Sequence, residues 1–465
     1  MDVSRQIGLF MEPGSIAVIG ASKRTGDGSL SVLENLLRNE FKGKLYPVNP
    51  EADSILGLKV FPSVLAVPGD IDLALITTPR HAVFESVKDC ARKGVKAMII
   101  VAQGFADGHE DGKKLQADIL ETAKKSGARV LGPNTIGVYN AFHNLSTSFL
   151  GTKLEKIPIG IISQSGLFFP GHCEFIFAGK ALDIGNGGDV NFADGLEYFE
   201  NDPETKVILL HIEGMMDGRR FVEVAKRVAK KKPIIALKTG ASTEGAKAIQ
   251  SHTGSLVGDN RIYDAIFRQC GVIRAGNMEE LYDLARIFLF SSLMKGKRIG
   301  VLSMSGAGGV IATDVCVKCN LEMARLSPET LAEIRKYFPP WVPIDNPVDL
   351  WTGFQISGYP YEELVQGILN AIAGDKNVDG IVFISGVLTS HSFWNPKNAI
   401  LQTIDSHHKP IVCWMYGPER KKVLSEFDRG RIPAFSSCER AVKAISKLNW
   451  EFGKKIKDER ECANT

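Results

Sequence analysis

The chain has 465 residues, 44% of them hydrophobic and 23% charged, with a formal net charge of +3. This is an ordinary globular composition, enough for roughly two to four domains, and so small a charge argues against nucleic acid or a membrane surface as a partner. The 8 cysteines show no framework spacing and read as reduced cytosolic thiols.

Residues 1–14 carry charges but no apolar core ahead of a small-residue cleavage site. No stretch approaches the ~20 apolar residues of a membrane helix, so a cytoplasmic chain is expected. From 14 to 140, apolar β-type runs at 15–20, 45–48, 72–77, 97–102 and 129–131 alternate with helically spaced stretches at 29–39, 82–92 and 112–125. Nearly continuous apolar strands between helices predict a parallel sheet covered on both faces, whose ligand lies beyond the carboxyl ends of the strands. Those ends carry small or hydrogen-bonding residues: Gly20-Ala21-Ser22, Asn49-Pro50, Thr78-Pro79, Gln103-Gly104 and Pro133-Asn134. They suit a nucleotide-like ligand. The first turn lacks G-x-G-x-x-G, and no acidic residue closes the second strand for a ribose, which opposes a nicotinamide dinucleotide.

From about 157 to 293 the alternation repeats. A strand at 158–162 turns at Ser163-Gln-Ser165-Gly166, and 181–184 leads to Asn186-Gly-Gly-Asp189. The run 206–212 leads to Glu213-Gly214, and 233–237 leads through Lys238-Thr239-Gly240 to a histidine string. After a short basic linker at 295–298, a third segment begins with a strand at 299–302 and the turn Ser303-Met-Ser305-Gly306-Ala307-Gly308-Gly309. Further strands are expected at 380–384 and 410–414, with a last helix at 439–448.

His252, in Gln250-Ser-His-Thr-Gly-Ser-Leu256, is the most informative site. A loop of small and hydroxyl residues exposes a ring nitrogen to an electrophile, and Glu213 can hold the other nitrogen. From the residues alone, a phosphohistidine and a merely solvated histidine both remain open. The turns at Ser163–Gly166 and Ser305–Gly309 echo each other, and each opens a helix whose free N–H groups favour an anion. His211, inside a strand, reads as packed; His407 and His408 as solvated; Glu279, Glu280 and Asp283 as an exposed helix face. Cys316 and Cys319 form a lone C-x-x-C without a second pair, so no metal site is expected.

These motifs together resemble the α subunit of the NDP-forming acyl-CoA synthetases, of the ADP-forming acetyl-CoA synthetase type, and more distantly succinyl-CoA synthetase. The resemblance runs through Val18-Ile-Gly-Ala-Ser22, Tyr46-Pro-Val-Asn-Pro50, Val130-Leu-Gly-Pro-Asn134 and Ile162-Ser-Gln-Ser-Gly166. It continues through Ile184-Gly-Asn186, Ile212-Glu-Gly214, Ser251-His-Thr-Gly-Ser255 and Asn346-Pro-Val-Asp349. It implies three consecutive doubly wound α/β domains: a Rossmann-like CoA-binding domain at 1–145, a phosphohistidine-bearing flavodoxin-like domain at 146–294, and a second flavodoxin-like domain at 295–465. It also implies that His252 carries the phosphoryl group with Glu213 orienting it. Ser163, Ser165, Gly166, Ser305, Gly306, Ala307 and Gly308 would steady phosphate, and Asn186 and Asp189 would face the acyl group or inorganic phosphate. Gly20, Ala21, Ser22, Asn49, Pro50, Thr78, Pro79, Gln103 and Asn134 would line the coenzyme A site.

No ATP-grasp segment is legible, so ADP/ATP and Mg2+ are expected on a separate β subunit, in an α2β2 heterotetramer acting on a small carboxylic acid. Two departures stand out. The stretch between Gly166 and Gly185 is short and contains Phe168-Phe169-Pro170-Gly171-His172, and Thr135 replaces a cysteine common in succinyl-CoA synthetases. The alternative reading is a non-catalytic CoA- or acyl-CoA-binding protein on the same scaffold.

Overall fold

The structure, a computed structural model, describes residues 2–26, 29–151, 153–170, 178–253, 258–387 and 396–449, and for 250–253 the backbone only. The chain forms two compact units, Met1–Leu281 and Tyr282–Thr465.

The first unit holds two main sheets. In the first, β1 (Ser15–Ile19), β2 (Lys44–Val48), β5 (Leu73–Ile76), β6 (Ala97–Ile100) and β7 (Arg129–Leu131) are all parallel, in the order β2-β1-β5-β6-β7. A small antiparallel hairpin, β3 (Ser54–Ile55) with β4 (Leu58–Lys59), interrupts the sequence. The apolar runs are unbroken because both faces are covered. Ile16 and Val18 join one core and Ala17 and Ile19 the other, the period-two alternation of a strand. The second core is closed by Val83 and Val87 of helix Arg80–Lys93 and Ile119 of helix Glu110–Lys125.

The second sheet contains β8 (Val138–Asn140), β9 (Leu145–Ser146), β10 (Ile159–Ser163), β11 (Lys180–Asp183), β12 (Val207–Ile212), β13 (Ile234–Lys238) and β14 (Ile273–Ala275), in the order β14-β13-β12-β10-β11-β8-β9. Its centre is parallel, while β8 and β9 add an antiparallel edge. This sheet therefore starts at Val138, ahead of the boundary expected at 145/146. Its core is continuous with that of the first sheet: Ile7, Phe10, Leu33, Ile162, Phe199 and Leu210 belong to one buried cluster. That shared core joins the first two expected domains into one compact unit. Helix Val3–Met11, not anticipated from sequence, packs on helix Phe192–Asn201.

A buried cation pins this junction. The Lys180 side chain is 1% exposed and reaches Asp202 at 2.8 Å, Glu204 at 2.7 Å and Glu12 at 3.6 Å. Tyr198 lies at 3.1 Å from the same ammonium and donates to Glu12 at 2.5 Å. A lysine so deeply buried is tolerable only when its charge is met in this way.

The second unit is built on the sheet β16-β15-β18-β19-β20: β15 (Arg298–Ser303), β16 (Glu322–Met323), β18 (Gly380–Gly386), β19 (Ile411–Tyr416) and β20 (Ala434–Phe435), with β17 (Val348–Asp349) also on β15. All its pairings are parallel. A helix at 438–449 matches the one expected. Asp283 is not on an exposed face: it is 4% exposed and takes Arg440 at 2.7 and 2.6 Å.

Candidate active site

The carboxyl edge of the first sheet opens a cavity of about 480 Å³ lined by Gly20, Asn49, Pro50, Thr78 and Pro79, with Glu51 and Ser86 among its walls. Gly20 has φ +83°, and a Cβ there would stand 2.9 Å from Thr78 Cγ2 and 3.0 Å from Thr78 N. Only glycine lets the two strand ends approach so closely. Asn49, just after β2, ties that strand end to the β1 turn, donating to Ala21 O at 2.9 Å and accepting from Glu51 N–H at 2.8 Å. Ser22 makes a local turn with Arg24. The Thr78 hydroxyl is buried in this cavity wall without a hydrogen-bond partner among the described residues. A buried orphan donor beside exposed backbone is what a polar, phosphate-bearing ligand such as coenzyme A would satisfy. Gln103 is exposed beyond β6, and it and Asn134 lie outside the walls of this cavity.

Asn134 belongs to a second constellation, where the first sheet meets the second. Its amide donates to Asn186 Oδ1 at 3.3 Å, and both amide hydrogens of Asn186 are taken, by Asp107 at 2.8 Å and Gln116 at 3.1 Å. Burial pushes the Asp107 carboxyl up, but the bonds from Asn186, Gly104 and Phe105 outweigh it and hold its pKa below the usual value. Asn186 thus locks the wall of the site. Asp189 is not brought there. The backbone turns after Asn186, and the Asp189 carboxylate pairs with Arg129 at 2.8 Å and accepts from Val130 N–H at 2.8 Å. The acyl or phosphate role expected for it is withdrawn.

The carboxyl edge of the second sheet gathers Ser163, Asp183, Glu213 and Lys238 from β10, β11, β12 and β13. Ser163 donates to Ser165 O at 3.0 Å, and the Ser165 hydroxyl accepts from Leu167 N–H at 3.3 Å, opening the short turn Gly166–Phe168. Between them, Gln164 Oε1 accepts from the backbone N–H of both Glu213, at 2.8 Å, and Gly214, at 3.0 Å. This clamp was not read from sequence, although Gln164 stands inside the string Ser163-Gln-Ser165. It fixes the carboxyl end of β12, from which Glu213 projects. Burial raises Asp183 to about 6 with Glu213 adding to the rise, against bonds from Ile136 and Gly185 N–H. Burial lowers Lys238 to about 8, helped by Arg274 and opposed by Glu213. His211 is packed as expected, 3% exposed, stacked on Phe168 at 4.1 Å, and pushed by burial and Lys238 to about 3, so it stays neutral.

A further cavity of about 340 Å³ lies among these pieces, lined by Gln164, Ile184, Asn186, Phe192, Gly214 and Met215 among others. The histidine string, expected as a loop, is helical as far as Thr253 at the end of helix Thr243–Thr253. The His252 side chain and residues 254–257 lie outside the described residues, as does His172 in the short stretch.

In the second unit, Ser303 donates to Ser305 O at 2.7 Å and accepts from Ser305 N–H at 3.1 Å. Ser305, at φ −147° and ψ 129°, opens helix Gly306–Lys318, much as Ser165 at φ −142° and ψ 132° opens its turn. A Cβ at Gly308 would stand 2.8 Å from Ser303 Oγ and one at Gly306 would stand 3.0 Å from Asp349 Oδ2, so the helix start packs tightly on the strand end. His407 is half-buried, more so than expected, and its neighbour Lys409 adds to the lowering of its pKa by burial.

Parallel α/β sheets with an acid, a lysine and Ser-Gly turns at their carboxyl edges suit an enzyme that handles a phosphate-bearing ligand, and the comparisons with known proteins make it a coenzyme A ligase. Residues 14–141 match the CoA binding domain family, 156–288 the succinyl-CoA ligase like flavodoxin domain and 299–371 the ligase-CoA domain. The chain is 37% identical to the ADP-forming acetate–CoA ligase II subunit alpha of Pyrococcus furiosus, over 94% of this chain and 96% of that one. It is 37% identical to the ADP-forming acetate–CoA ligase of Methanocaldococcus jannaschii, over 96% of this chain and 63% of that longer one. The structure of a Ca. Korarchaeum cryptofilum acetyl-coenzyme A synthetase 1, solved with phosphate and ADP, superposes with a TM-score of 0.86 at 31% identity, covering 97% of this chain and 98% of that one. The chain belongs to the family of ADP-forming acetate–CoA ligase alpha subunits, and is an acyl-CoA synthetase that binds coenzyme A. Among the described residues, no helix is long and apolar enough to cross a membrane.

Proposed function

We propose that this chain is the α subunit of a two-chain enzyme that interconverts acid, CoA and ATP with acyl-CoA, ADP and phosphate through phosphorylated His252. In the ATP-forming direction an oxygen of inorganic phosphate attacks the thioester carbonyl; the C–S bond breaks and the thiol leaves. A ring nitrogen of His252 then attacks phosphorus and the P–O bond to the acid breaks. The terminal oxygen of ADP accepts the phosphoryl group in turn. ADP/ATP and Mg2+ belong to a separate ATP-grasp β subunit, in an α2β2 heterotetramer in the cytoplasm. The Pyrococcus furiosus relative is itself named a subunit alpha, which supports a partner chain.

Gln164 carries this reading. It holds Glu213 and Gly214 by their backbone while its serine neighbours open the phosphate turn, so orienting carboxylate and phosphate cradle are coupled at one residue. Glu213 fixes the histidine tautomer, and N–H groups at Ser165-Gly166 and Gly306-Ala307-Gly308 meet the charge of the transferring group. Ser163 and Ser305 shape those turns. Gly20, Ala21, Ser22, Asn49, Pro50, Thr78 and Pro79 hold the coenzyme, with Gln103 and Asn134 further along the same sheet edge. The test is acyl-CoA formation by the α chain with the ATP-grasp chain. His252→Ala is expected to abolish turnover while leaving coenzyme A binding intact. Turnover by that variant would refute the carrier role, and a wild-type pair that binds coenzyme A without forming thioester would leave a coenzyme-binding protein.

A further inference from the structure

The basic stretch Lys295-Gly-Lys-Arg298 is more than a linker. It walls a cavity of about 860 Å³ at the amino edge of the second unit's sheet, where Arg298 opens β15, Asp379 precedes β18 and Pro410 precedes β19. Ser303 and the phosphate turn lie at the far end of β15, a strand of 6 residues, and at ~3.3 Å per residue that is roughly 16 Å away. The cavity is therefore separate from the carboxyl edge.

Four full cations line it, Lys295, Arg298, Lys376 and Lys409, against one acid, Asp379, with His407 and His408 beside them. Arg298 and Asp379 neutralise each other: the guanidinium meets both carboxylate oxygens at 2.9 Å and also donates to Lys376 O at 2.9 Å. Lys295, Lys376 and Lys409 have no ion pair among the described residues. The loop that carries Lys376 is held in place. Asp375 accepts from Ser327 N–H at 2.7 Å and Asn377 N–H at 2.8 Å, and Asn377 donates to Arg325 O at 3.1 Å. Lys409 Nζ donates to Asp375 O at 2.5 Å, which anchors that ammonium to the same loop. Burial lowers the Lys409 pKa; Asp375 and Asp379 oppose the fall, and Arg298 and Lys295 add to it. Burial lowers His407 too, with Lys409 and His408 adding to the effect.

Basic side chains at the carbonyl end of a helix have a structural use, because that end carries about half a negative charge. Helices Tyr361–Gly374 and Lys397–His407 both end on this cavity, which accounts for roughly one charge of the three unpaired lysines. A surplus of positive charge remains in a concave space, on three separate chain segments. The volume falls within the ~300–1,000 Å³ of ligand pockets, more room than a single phosphate fills.

We propose that this cavity is a second ligand site, which binds a chain of two or three phosphates, free or carried on a nucleotide. It goes beyond the synthetase reading and does not depend on it.

The test titrates the full chain with tripolyphosphate by calorimetry, with and without saturating coenzyme A, at ~0.1 M salt, where exposed charges are screened beyond about 10 Å. Tripolyphosphate should bind equally well in both cases and raise the thermal midpoint. Lys295→Ala combined with Lys376→Ala should weaken binding by about tenfold or more and remove the thermal shift. Without ligand, that double variant should melt no lower than wild type, because it relieves like-charge repulsion. A lower midpoint would show that these lysines only complement helix ends, and would overturn the proposal. Displacement of tripolyphosphate by coenzyme A, unchanged binding in the double variant, or tighter binding of a single-stranded oligonucleotide would also overturn it. ATP and pyrophosphate separate the two sources. ATP binding tighter than tripolyphosphate, and lost in the double variant, makes the ligand a nucleotide seated on the apolar floor of Leu293, Ala373 and Val378. Equal or weaker ATP binding, with pyrophosphate retained, makes it the phosphate chain alone.

Discussion

Gln164→Leu keeps the bulk of the side chain and deletes the one oxygen that accepts from Glu213 and Gly214 at 2.8 and 3.0 Å. Gly214 is buried, so its N–H loses its partner with little help from water and costs about 1–3 kcal/mol. Glu213 is half-exposed and costs less, which puts the total at about 2–4 kcal/mol. The loss appears in one of two forms. If the strand end stays in place, urea unfolding moves by that amount. If it relaxes toward water, Glu213 is displaced and kcat falls by up to about 30- to 900-fold, at 1.36 kcal/mol for each factor of ten. Gln164→Glu separates geometry from charge. It keeps the acceptor but sets a carboxylate beside Glu213 and Asp183, so the structure should hold while the acid limb of the pH–rate profile moves upward. A Gln164→Leu protein within twofold of wild type in rate and within about 0.5 kcal/mol in stability would show that the clamp positions nothing.

Lys180→Met should destabilise by about 3–5 kcal/mol, because Asp202, 4% exposed, is left charged and buried, while Glu12 and Glu204 can rehydrate. The double variant with Asp202→Asn should recover most of the loss in chemical denaturation; no recovery would refute the pairing. Gly20→Val forces a branched residue to φ +83° against Thr78 and should weaken coenzyme A binding by about tenfold or more in calorimetry, with an unchanged affinity counting against this cavity. Asp183 is raised from 3.8 to about 6, so its contribution to stability is full below the unfolded value and is lost as pH rises through about 6. The loss amounts to about 3 kcal/mol at 1.36 kcal/mol per pH unit, and Asp183→Asn should flatten that part of the stability profile.

The first sheet was legible because its central strands β1, β5 and β6 are buried throughout and read as unbroken apolar runs between amphipathic helices. Helix Val3–Met11 escaped because it ends just before the first glycine turn, although Val3, Ile7, Phe10 and Met11 mark one face of it. Strands β8 and β9 are too short for a period to show, and they shift the start of the second sheet. Asp189 misled because it follows Asn186 so closely. Its partner Arg129 is 60 residues away, and no spacing reports such a contact. Gln164 was hidden in plain view, since the serines around it drew the reading toward phosphate and a side-chain-to-backbone clamp leaves no periodic trace. Asp283 looked like a surface acid for a similar reason: Arg440, 157 residues on, neutralises it.

The most direct measurement is to locate the phosphoryl group itself. The α and ATP-grasp chains are incubated with γ-labelled ATP and Mg2+ without acid, and the labelled peptide is sequenced. The account predicts an acid-labile, base-stable label on the peptide carrying His252, absent from His252→Ala and discharged by acid plus coenzyme A. Label that survives His252→Ala, or that maps to another residue of this chain, would contradict it.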